Sequence, residues 1–491
     1  MWKLREGLQK PSEFTMAQID VTMISSILLF IIPYVFPKLW LPFKQYRLGH
    51  SDEEWKDRII YQILTDRFAT SEETSEPCTL LKQYCGGTYR GIINHLDYIE
   101  NLGMNAIWIS PIVQNKEGSY HGYHATNFYT LNPHFGSEED LVELITECHK
   151  RDIWVMVDLV FNHVADMDED FSHIIPFNKE EYYHPICESK DDWGNQTFCE
   201  DCRLSNLPDL KQEDSWVTNE LINWATWIIE KYKLDGIRVD TVKHVPMFFW
   251  KELRQRMPNV YMLGEVFDDR IAYIRGYQEH MSGQLHYPLY FVVKDVFKKQ
   301  NGRTCHDIET VINNCKEAGL DETTLGGFLD NHDNARFLHG FDDIIAYKNA
   351  LALTLLHVHI PLVYYGAEQG FNGGDDPLNR ESLWNTKFNQ NTELYKFIRI
   401  LTDVRKTIAI KEEHIQRYKT DDVYIYSRGT VLVCTTRIGG GNSLDTLFVA
   451  YNPYKKGDKL KNVFTNETQV VTDAGVKVTF SDGQPQVWVK V

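Results

Sequence analysis

Acidic, imidazole and guanidinium side chains recur in this sequence directly behind short apolar runs. Asp158, Asn162 and His163 follow one run, Arg238 and Asp240 close a second, Glu265 follows a third, and His332 and Asp333 a fourth. A lone carboxylate in such a place is ordinarily a helix cap or a turn former. Asp240, Glu265 and Asp333 behind three separate runs, beside two histidines and an arginine, are much harder to attribute to capping. Cleavage of a glycosidic bond needs this set. One carboxylic acid protonates the leaving oxygen, and one carboxylate attacks or supports an oxocarbenium-like centre. Negative neighbours keep one carboxyl protonated near neutral pH. Arg238 lies two residues before Asp240, on the same face of an extended segment, and can hold it ionised and oriented.

These residues must be carried to one place by different elements. From about residue 55 to 410 apolar strands alternate with amphipathic helices, the βα pattern of a parallel sheet. Strands are expected at 59–64, 106–109, 153–160, 237–240, 260–263, 284–290, 327–329 and 361–365. Ser137 and Asp140 form a capping box ahead of Leu141, Leu144, Ile145 and Cys148 on one helical face, which makes Cys148 a buried hydrophobe. Val217, Leu221, Trp224 and Ile228 mark another helix. The expected fold is α/β, a (β/α)8 TIM barrel whose strand ends converge on one mouth. Two regions depart from the alternation. Residues 162–211 are too long for an ordinary loop and read as an inserted subdomain. Short strands at 423–426, 431–436, 446–451 and 470–480 read as a C-terminal β-sandwich. The expected organisation is a hydrophobic signal or anchor with its linker at 1–44, the barrel at 45–161 and 212–410, the insertion between them, and the sandwich at 411–491.

With 43% hydrophobic and 24% charged residues, the 491-residue chain can bury a large core. A net charge of −18 repels phosphate backbones and argues against nucleic acid as a partner. The 12 Trp and 26 Tyr supply core volume and also flat rings that stack on sugars. Residues 21–37 carry no charge and are at the short limit for a membrane span. A secretory signal is the competing reading, but no small-x-small cleavage site follows, which favours an anchor. Either way the bulk of the chain is expected in the secretory pathway, outside the cytosol. Nine cysteines leave at least one unpaired, and the groups Cys78/Cys85 and Cys187/Cys199/Cys202 suit disulfides in an oxidising compartment. Zinc is the rival there, without a histidine-containing ligand spacing to support it. Asn195-Gln-Thr and Asn466-Glu-Thr are acceptor triplets for glycosylation.

The segments Asp235-Gly-Ile-Arg-Val-Asp-Thr-Val-Lys-His244, Gly264-Glu-Val-Phe267, Phe328-Leu-Asp-Asn-His-Asp333 and Asp158-Leu-Val-Phe-Asn-His163 resemble, in order and spacing, the four marker regions of glycoside hydrolase family 13. The resemblance spans about 55–480 and is closest to the fungal secreted α-amylases, through Cys85-Gly-Gly-Thr-Tyr-Arg-Gly91, Glu200-Asp-Cys202, Leu207-Pro-Asp-Leu210 and Gly374-Asp-Asp-Pro-Leu-Asn-Arg380. It implies retaining cleavage of α-1,4-glucans such as starch or glycogen. Asp240 would be the nucleophile, Glu265 the acid and then the base, and Asp333 a holder of sugar hydroxyls. His163 and His332 would bond the sugar at the cleavage point, Arg238 would orient Asp240, and Tyr123 would stack beneath that sugar. Lys243 and His244 would touch the glucose on the leaving side, Asp376 and Arg380 the sugar beyond on the other. It further implies a structural Ca2+ held by the side chains of Asn162 and Asp209 and the main-chain oxygens of Glu200 and His244, pinning the insertion to the barrel. The disulfides Cys78–Cys85 and Cys187–Cys202 are implied likewise. Two positions depart from the pattern: His124 where the fungal enzymes carry Trp, and Asp330 in place of Glu.

Three functions remain open on this footing. The first is hydrolysis of an α-glucan by a monomer. The second is transglycosylation through the same covalent intermediate. The third is a non-catalytic amylase-like ectodomain on a membrane anchor, for which three intact acids are superfluous.

Overall fold

The computed structural model describes residues 48–72, 76–187 and 192–491; the hydrophobic segment 21–37 lies outside them. Eight parallel strands form the centre: β1 Ile60–Ile63, β2 Ala106–Ile109, β3 Trp154–Leu159, β4 Gly236–Val239, β5 Tyr261–Gly264, β6 Gly283–Gln284, β7 Gly326–Gly327 and β8 Ile360–Tyr364. They pair in the order β6-β5-β4-β3-β2-β1-β8-β7. The ring closes where Leu285 bridges Gly326 and the His286 N–H donates to the Gly326 carbonyl at 2.8 Å. Every residue of β1–β5 and β8 is buried. A parallel sheet covered on both faces requires such continuous apolar runs, where a half-exposed strand would alternate. Ile60, Met156, Leu263, Leu285 and Leu362 fill the barrel, while Tyr61, Ile107, Val155, Ile237 and Val363 face the surrounding helices. The register sets Asp158 beside Arg238 and Gln62 beside both Trp108 and Tyr364.

Helix Glu138–Lys150 begins at the Ser137/Asp140 capping box and buries Leu141, Leu144, Ile145 and Cys148. Helix Ser215–Tyr232 begins where the Asp214 carboxylate accepts from the N–H groups of Trp216 and Val217, and it buries Val217, Leu221, Trp224 and Ile228. Between β3 and that helix the chain makes only short helical turns, closed by the Cys187–Cys202 disulfide. This stretch is tied back to the barrel by Leu210 N–H to Asn162 O at 2.8 Å and Val164 N–H to Pro208 O at 3.1 Å. A second disulfide joins Cys78 and Cys85, and Cys148, Cys199, Cys305, Cys315 and Cys434 are free and buried. The C-terminal part is a six-stranded antiparallel sheet, faced by a two-stranded one (Leu447–Val449 with Val476–Val478) across a core of Ile425, Leu432, Val476 and Trp488.

Three expectations need correction. The run 284–290 is not a strand: β6 has two residues, and helix Tyr287–Phe297 starts almost at once with Pro288 in its first turn. That helix is buried nearly all round, and apolar periodicity alone does not separate such a helix from a buried strand. Likewise β7 is Gly326–Gly327, so 327–329 is shifted by one residue and ends early. The span 470–480 divides into Thr468–Val470 and Val476–Val478, and strands at Ile415–Lys419, Lys459–Asn462 and Gln486–Lys490 join the sheet. Glycine permits the short strands. A Cβ at Gly283 would stand 1.8 Å from the Thr324 carbonyl oxygen, so no other residue lets β6 lie against the segment entering β7.

The stretch just ahead of β1 is also part of the barrel. Trp55 is fully buried, stacks on Tyr261 at 5.2 Å, meets Trp154 edge-on, and donates its indole N–H to Asp235 O at 3.1 Å. A Cβ on Gly236 would be 2.7 Å from its ring. Trp55 thus plugs the end where the strands begin. Trp55→Ala is expected to cost about 3–5 kcal/mol of unfolding free energy while leaving the far end of the barrel in place. Urea denaturation with parallel assay checks this, and a variant as stable as the parent would show that the plug does not hold the barrel.

Candidate active site

The carboxyl ends of β1–β5 and the segment after β7 bring the acids together around one guanidinium. Arg238, at 0% exposure, sits in β4. One terminal nitrogen, NH1, donates to both oxygens of Asp158 at 3.0 Å and to Asp240 Oδ1 at 2.6 Å. The other, NH2, lies 2.7 Å from Glu265 Oε2. The backbone fixes both catalytic-type acids relative to this group. The Asp240 N–H donates to Leu159 O at 3.0 Å, and the Glu265 N–H to Val239 O at 2.8 Å. Between them Thr241 holds φ at +48°, a left-handed conformation costly for a β-branched residue. That turn aims the Thr241 N–H at Glu265 Oε2, 3.1 Å away.

Three carboxylates around one cation leave excess negative charge in a buried site, so a proton must be retained. Burial pushes Glu265 well up from its ordinary range, with the charges of Asp240 and Asp333 adding to the shift against Arg238. Both contacts to Glu265 fall on Oε2, so the proton belongs on Oε1. Asp240 goes the other way: burial raises it, but the Arg238 charge and hydrogen bond outweigh that and leave it below the usual range. Burial also pushes Asp158 up. Its oxygens nevertheless accept from Arg238, from Tyr123 OH at 2.8 Å and from Trp108 Nε1 at 3.2 Å, and a carboxyl receiving that many donors is held as the carboxylate. The arrangement therefore sets a carboxyl that retains its proton beside one that is ionised.

The imidazoles are neutral and their tautomers are set by partners. Gln62 Nε2 donates to His332 Nδ1 at 2.8 Å, so His332 Nε2 carries the proton and donates to Tyr123 OH at 2.7 Å, which passes its own to Asp158. Burial and the Arg380 charge hold His332 well below its usual value. His163 accepts at Nδ1 from Asn162 Nδ2 at 3.2 Å and donates from Nε2 to Tyr123 O at 3.1 Å. Tyr123 is parallel to His332 at 5.5 Å. Asp333, a third exposed in its side chain, receives Arg380 at 3.7 Å and His332 at 3.5 Å. Arg380 also pairs with Asp376 at 3.0 Å and donates to Tyr120 OH at 3.0 Å. Lys243 Nζ reaches Phe267 O at 3.0 Å, and His244 Nδ1 donates to Cys199 O at 3.1 Å. His124 turns away to Ser119 Oγ at 2.8 Å, and Asp330 braces the backbone by accepting from Phe337 N–H and Tyr347 OH.

Sequence reasoning did not single out Gln62, Trp108 or Tyr120. Gln62 and Trp108 are the polar-tipped residues near the ends of β1 and β2, and their strand positions were the available signal. Tyr120 carries none, because its role comes from Arg67, buried and 3.9 Å over its ring. Among the expected Ca2+ ligands, Asn162 Oδ1 and Asp209 Oδ1 are both buried oxygens with no hydrogen-bond partner. Asp209 Oδ2 accepts from His184 Nδ1 at 2.7 Å, and burial pushes the Asp209 carboxyl up to about 7. Glu200 sits in helix Gln196–Asp201, its side chain turned to Gln196 Nε2 at 2.6 Å. Two orphaned oxygens suit a hard cation, which takes oxygen donors.

Residues 62–422 match the family model described as Alpha amylase, catalytic domain. The chain is 42% identical over 367 residues to Alpha-amylase 1 of Lipomyces kononenkoae, covering 72% of this chain and 58% of that one. It is 36% identical over 467 residues to Alpha-amylase 1 of Schwanniomyces occidentalis, covering 90% of this chain and 91% of that one. The solved structure of an alpha-amylase from Malbranchea cinnamomea superposes with a TM-score of 0.86 at 37% identity, over 90% of this chain and 97% of that one. With the motif order, the barrel and these relatives in agreement, the chain belongs to the alpha-amylase family of glycoside hydrolases.

Proposed function

We propose that the chain hydrolyses internal α-1,4-glucosidic bonds of starch- or glycogen-type glucans with retention of configuration. One observation carries the reading: a single guanidinium lies against both Asp240 and Glu265, and their surroundings push the first carboxyl below and the second above the ordinary range. Asp240 attacks the anomeric carbon through Oδ2 while Glu265 gives its Oε1 proton to the leaving glycosidic oxygen. The glycosyl ester on Asp240 is then cleaved by water, whose proton returns to Glu265, and the sugar leaves in its α form. Asp333 accepts from the sugar hydroxyls at the reacting ring, helped by His163 and His332, and Tyr123 stacks beneath it. Lys243 and His244 hold the glucose on the leaving side; Asp376 and Arg380 hold the one beyond on the other.

A Ca2+ ion on Asn162, Asp209 and the main-chain oxygens of Glu200 and His244 would fasten the insertion beside this site. The two disulfides support folding in the secretory pathway, where Asn195 and Asn466, both exposed, can be glycosylated. Among the described residues no helix is long and apolar enough to cross a membrane.

Incubation with maltoheptaose tests the reaction. Shorter products only, first appearing as the α anomer and absent with Asp240→Asn, are expected. Products longer than the substrate would show transglycosylation instead, and no turnover by the folded parent on this substrate, starch or glycogen would leave a binding scaffold.

Two further outcomes follow from the electrostatics. The alkaline limb of kcat/KM against pH should lie well above the ordinary carboxylate range, because it reports loss of the Glu265 proton. Asp333→Asn removes a negative neighbour, so the residual activity should show that limb at lower pH; an unmoved limb would mean another group controls it. The second concerns stability. Metal-free Asp209 keeps its proton up to about pH 7, against 3.8 for the ordinary group. Across that window the unfolded chain has lost a proton the folded one holds, so this site's contribution to stability falls as pH rises. Ca2+ favours the carboxylate and removes the penalty. Its effect on Tm should therefore grow from about pH 4 to about pH 7 by calorimetry with and without chelator, and should vanish in Asp209→Asn.

A further inference from the structure

A second group of buried titratable side chains gathers away from the carboxylates, around the segments that enter β7 and β8. Glu322 lies on the segment entering β7, His357 and His359 on the segment entering β8, His286 just past β6, and Cys315 near the end of helix Cys305–Glu317; all are buried. Glu322 Oε1 is 3.0 Å from Nε2 of His286 and 3.0 Å from Nε2 of His357. Donor atoms of His286, His357 and His359 lie within 4.8 Å of one another, and so do those of His286, Cys315 and Glu322. The two triads share His286.

His359 shows what the cluster is poised for. Its Nε2–H donates to Thr354 O at 2.7 Å, which fixes the tautomer and makes Nδ1 a bare lone pair. That Nδ1 is buried and has no hydrogen-bond partner. The ring fits only because residue 327 is glycine, where a Cβ would stand 1.9 Å from His359 Nε2. His357 is oriented from outside: its Nδ1 is 2.9 Å from His414 Nδ1, and His414 Nε2 is 2.8 Å from Tyr424 OH, both on the C-terminal side of the seam. Outer hydrogen bonds of this kind set the tautomer and direction of metal-binding imidazoles.

We propose that this cluster binds a zinc-class dication that fastens the barrel to the C-terminal sheet. Imidazole nitrogen, thiolate sulfur and carboxylate oxygen suit zinc and exclude the oxygen-seeking calcium and magnesium. Zinc takes four such ligands in a tetrahedron, and four of these five side chains would supply them. Glu322 and a Cys315 thiolate together neutralise the ion, which matters because Arg428 already donates to the His357 carbonyl at 2.9 Å and tolerates no further net positive charge. The protons can be placed. With the ion on His357 Nε2, its proton moves to Nδ1 and is donated to His414 Nδ1; His414 Nε2–H then faces the Tyr424 oxygen. With the ion on its Nε2, His286 exchanges its hydrogen bond to Glu322 for the metal and, its proton now on Nδ1, gives up the 3.4 Å bond from the Leu289 N–H. The Cys315 proton leaves to solvent.

The intact chain, produced in zinc-supplemented medium and exchanged into calcium buffer, should retain one zinc ion per chain by elemental analysis. Cobalt-grown protein should show the intense visible absorption of a tetrahedral ion. His286→Asn, which keeps a capping side chain for the following helix, and Glu322→Gln should each lower the retained metal at least tenfold with the circular dichroism preserved. Folded parent protein free of zinc and cobalt overturns the proposal whether or not the variants fold. So does metal retained equally in both variants, which would place the ion elsewhere, as at His184.

Discussion

The ion pairs of Arg238 set the terms for the rest of the active end. A fully buried guanidinium needs compensation, and a buried carboxylate left without it would cost several kcal/mol. Asp158, Asp240 and Glu265 all draw on this one cation. The mismatch of one positive against three acidic groups is what forces a proton to remain. It remains on Glu265, where burial and the charges of Asp240 and Asp333 outweigh Arg238, while Asp158 is saturated by Tyr123 and Trp108 and Asp240 keeps the shortest bond to the arginine. The two acids are thus distinguished by their surroundings rather than by their own chemistry.

Holding that balance requires strand ends in fixed register, which is why the barrel matters. Asp158 and Arg238 face each other across β3 and β4, and Val239 pairs with Gly264 at the end of β4 and β5, so Asp240 and Glu265 emerge side by side. The one backbone irregularity in that region, Thr241 at positive φ, turns its N–H onto Glu265. Strain is spent where it orders the two acids.

Most of this was legible in the sequence because strands buried on both faces write themselves as unbroken apolar runs, and polar residues at their ends are then conspicuous. The long strands and Asp158, Asn162, His163, Arg238, Asp240, Glu265, His332 and Asp333 could be read this way, whereas Tyr123, Lys243, His244, Asp376, Arg380 and the expected Ca2+ ligands Glu200 and Asp209 came through the family resemblance alone. β6 and β7 could not, since two residues of Gly-Gln and Gly-Gly carry no hydrophobic signal and exist because neighbouring backbone approaches too closely for a Cβ. Trp55 was illegible for a different reason: its contacts with Trp154, Tyr261 and Asp235 lie more than ninety residues away in sequence. The histidines at 286, 357, 359 and 414 are likewise scattered, and only the closing of the barrel against the C-terminal sheet gathers them.

The insertion reaches His163 through the Asn162 amide. Asn162 donates from Nδ2 to His163 Nδ1, which fixes His163 as a donor at Nε2, and its Oδ1 is left buried and unpaired toward the side occupied by Asp209. An amide has no freedom to satisfy both ends by itself: rotating it to give Oδ1 a donor would set two lone pairs against each other at His163. Any cation attracted to Oδ1 therefore locks the tautomer of His163 and, through Tyr123 O, the ring that lies beside His332. A site whose acids are tuned by fixed neighbours is disturbed by an imidazole that flips, and the insertion is anchored at the residue next to one.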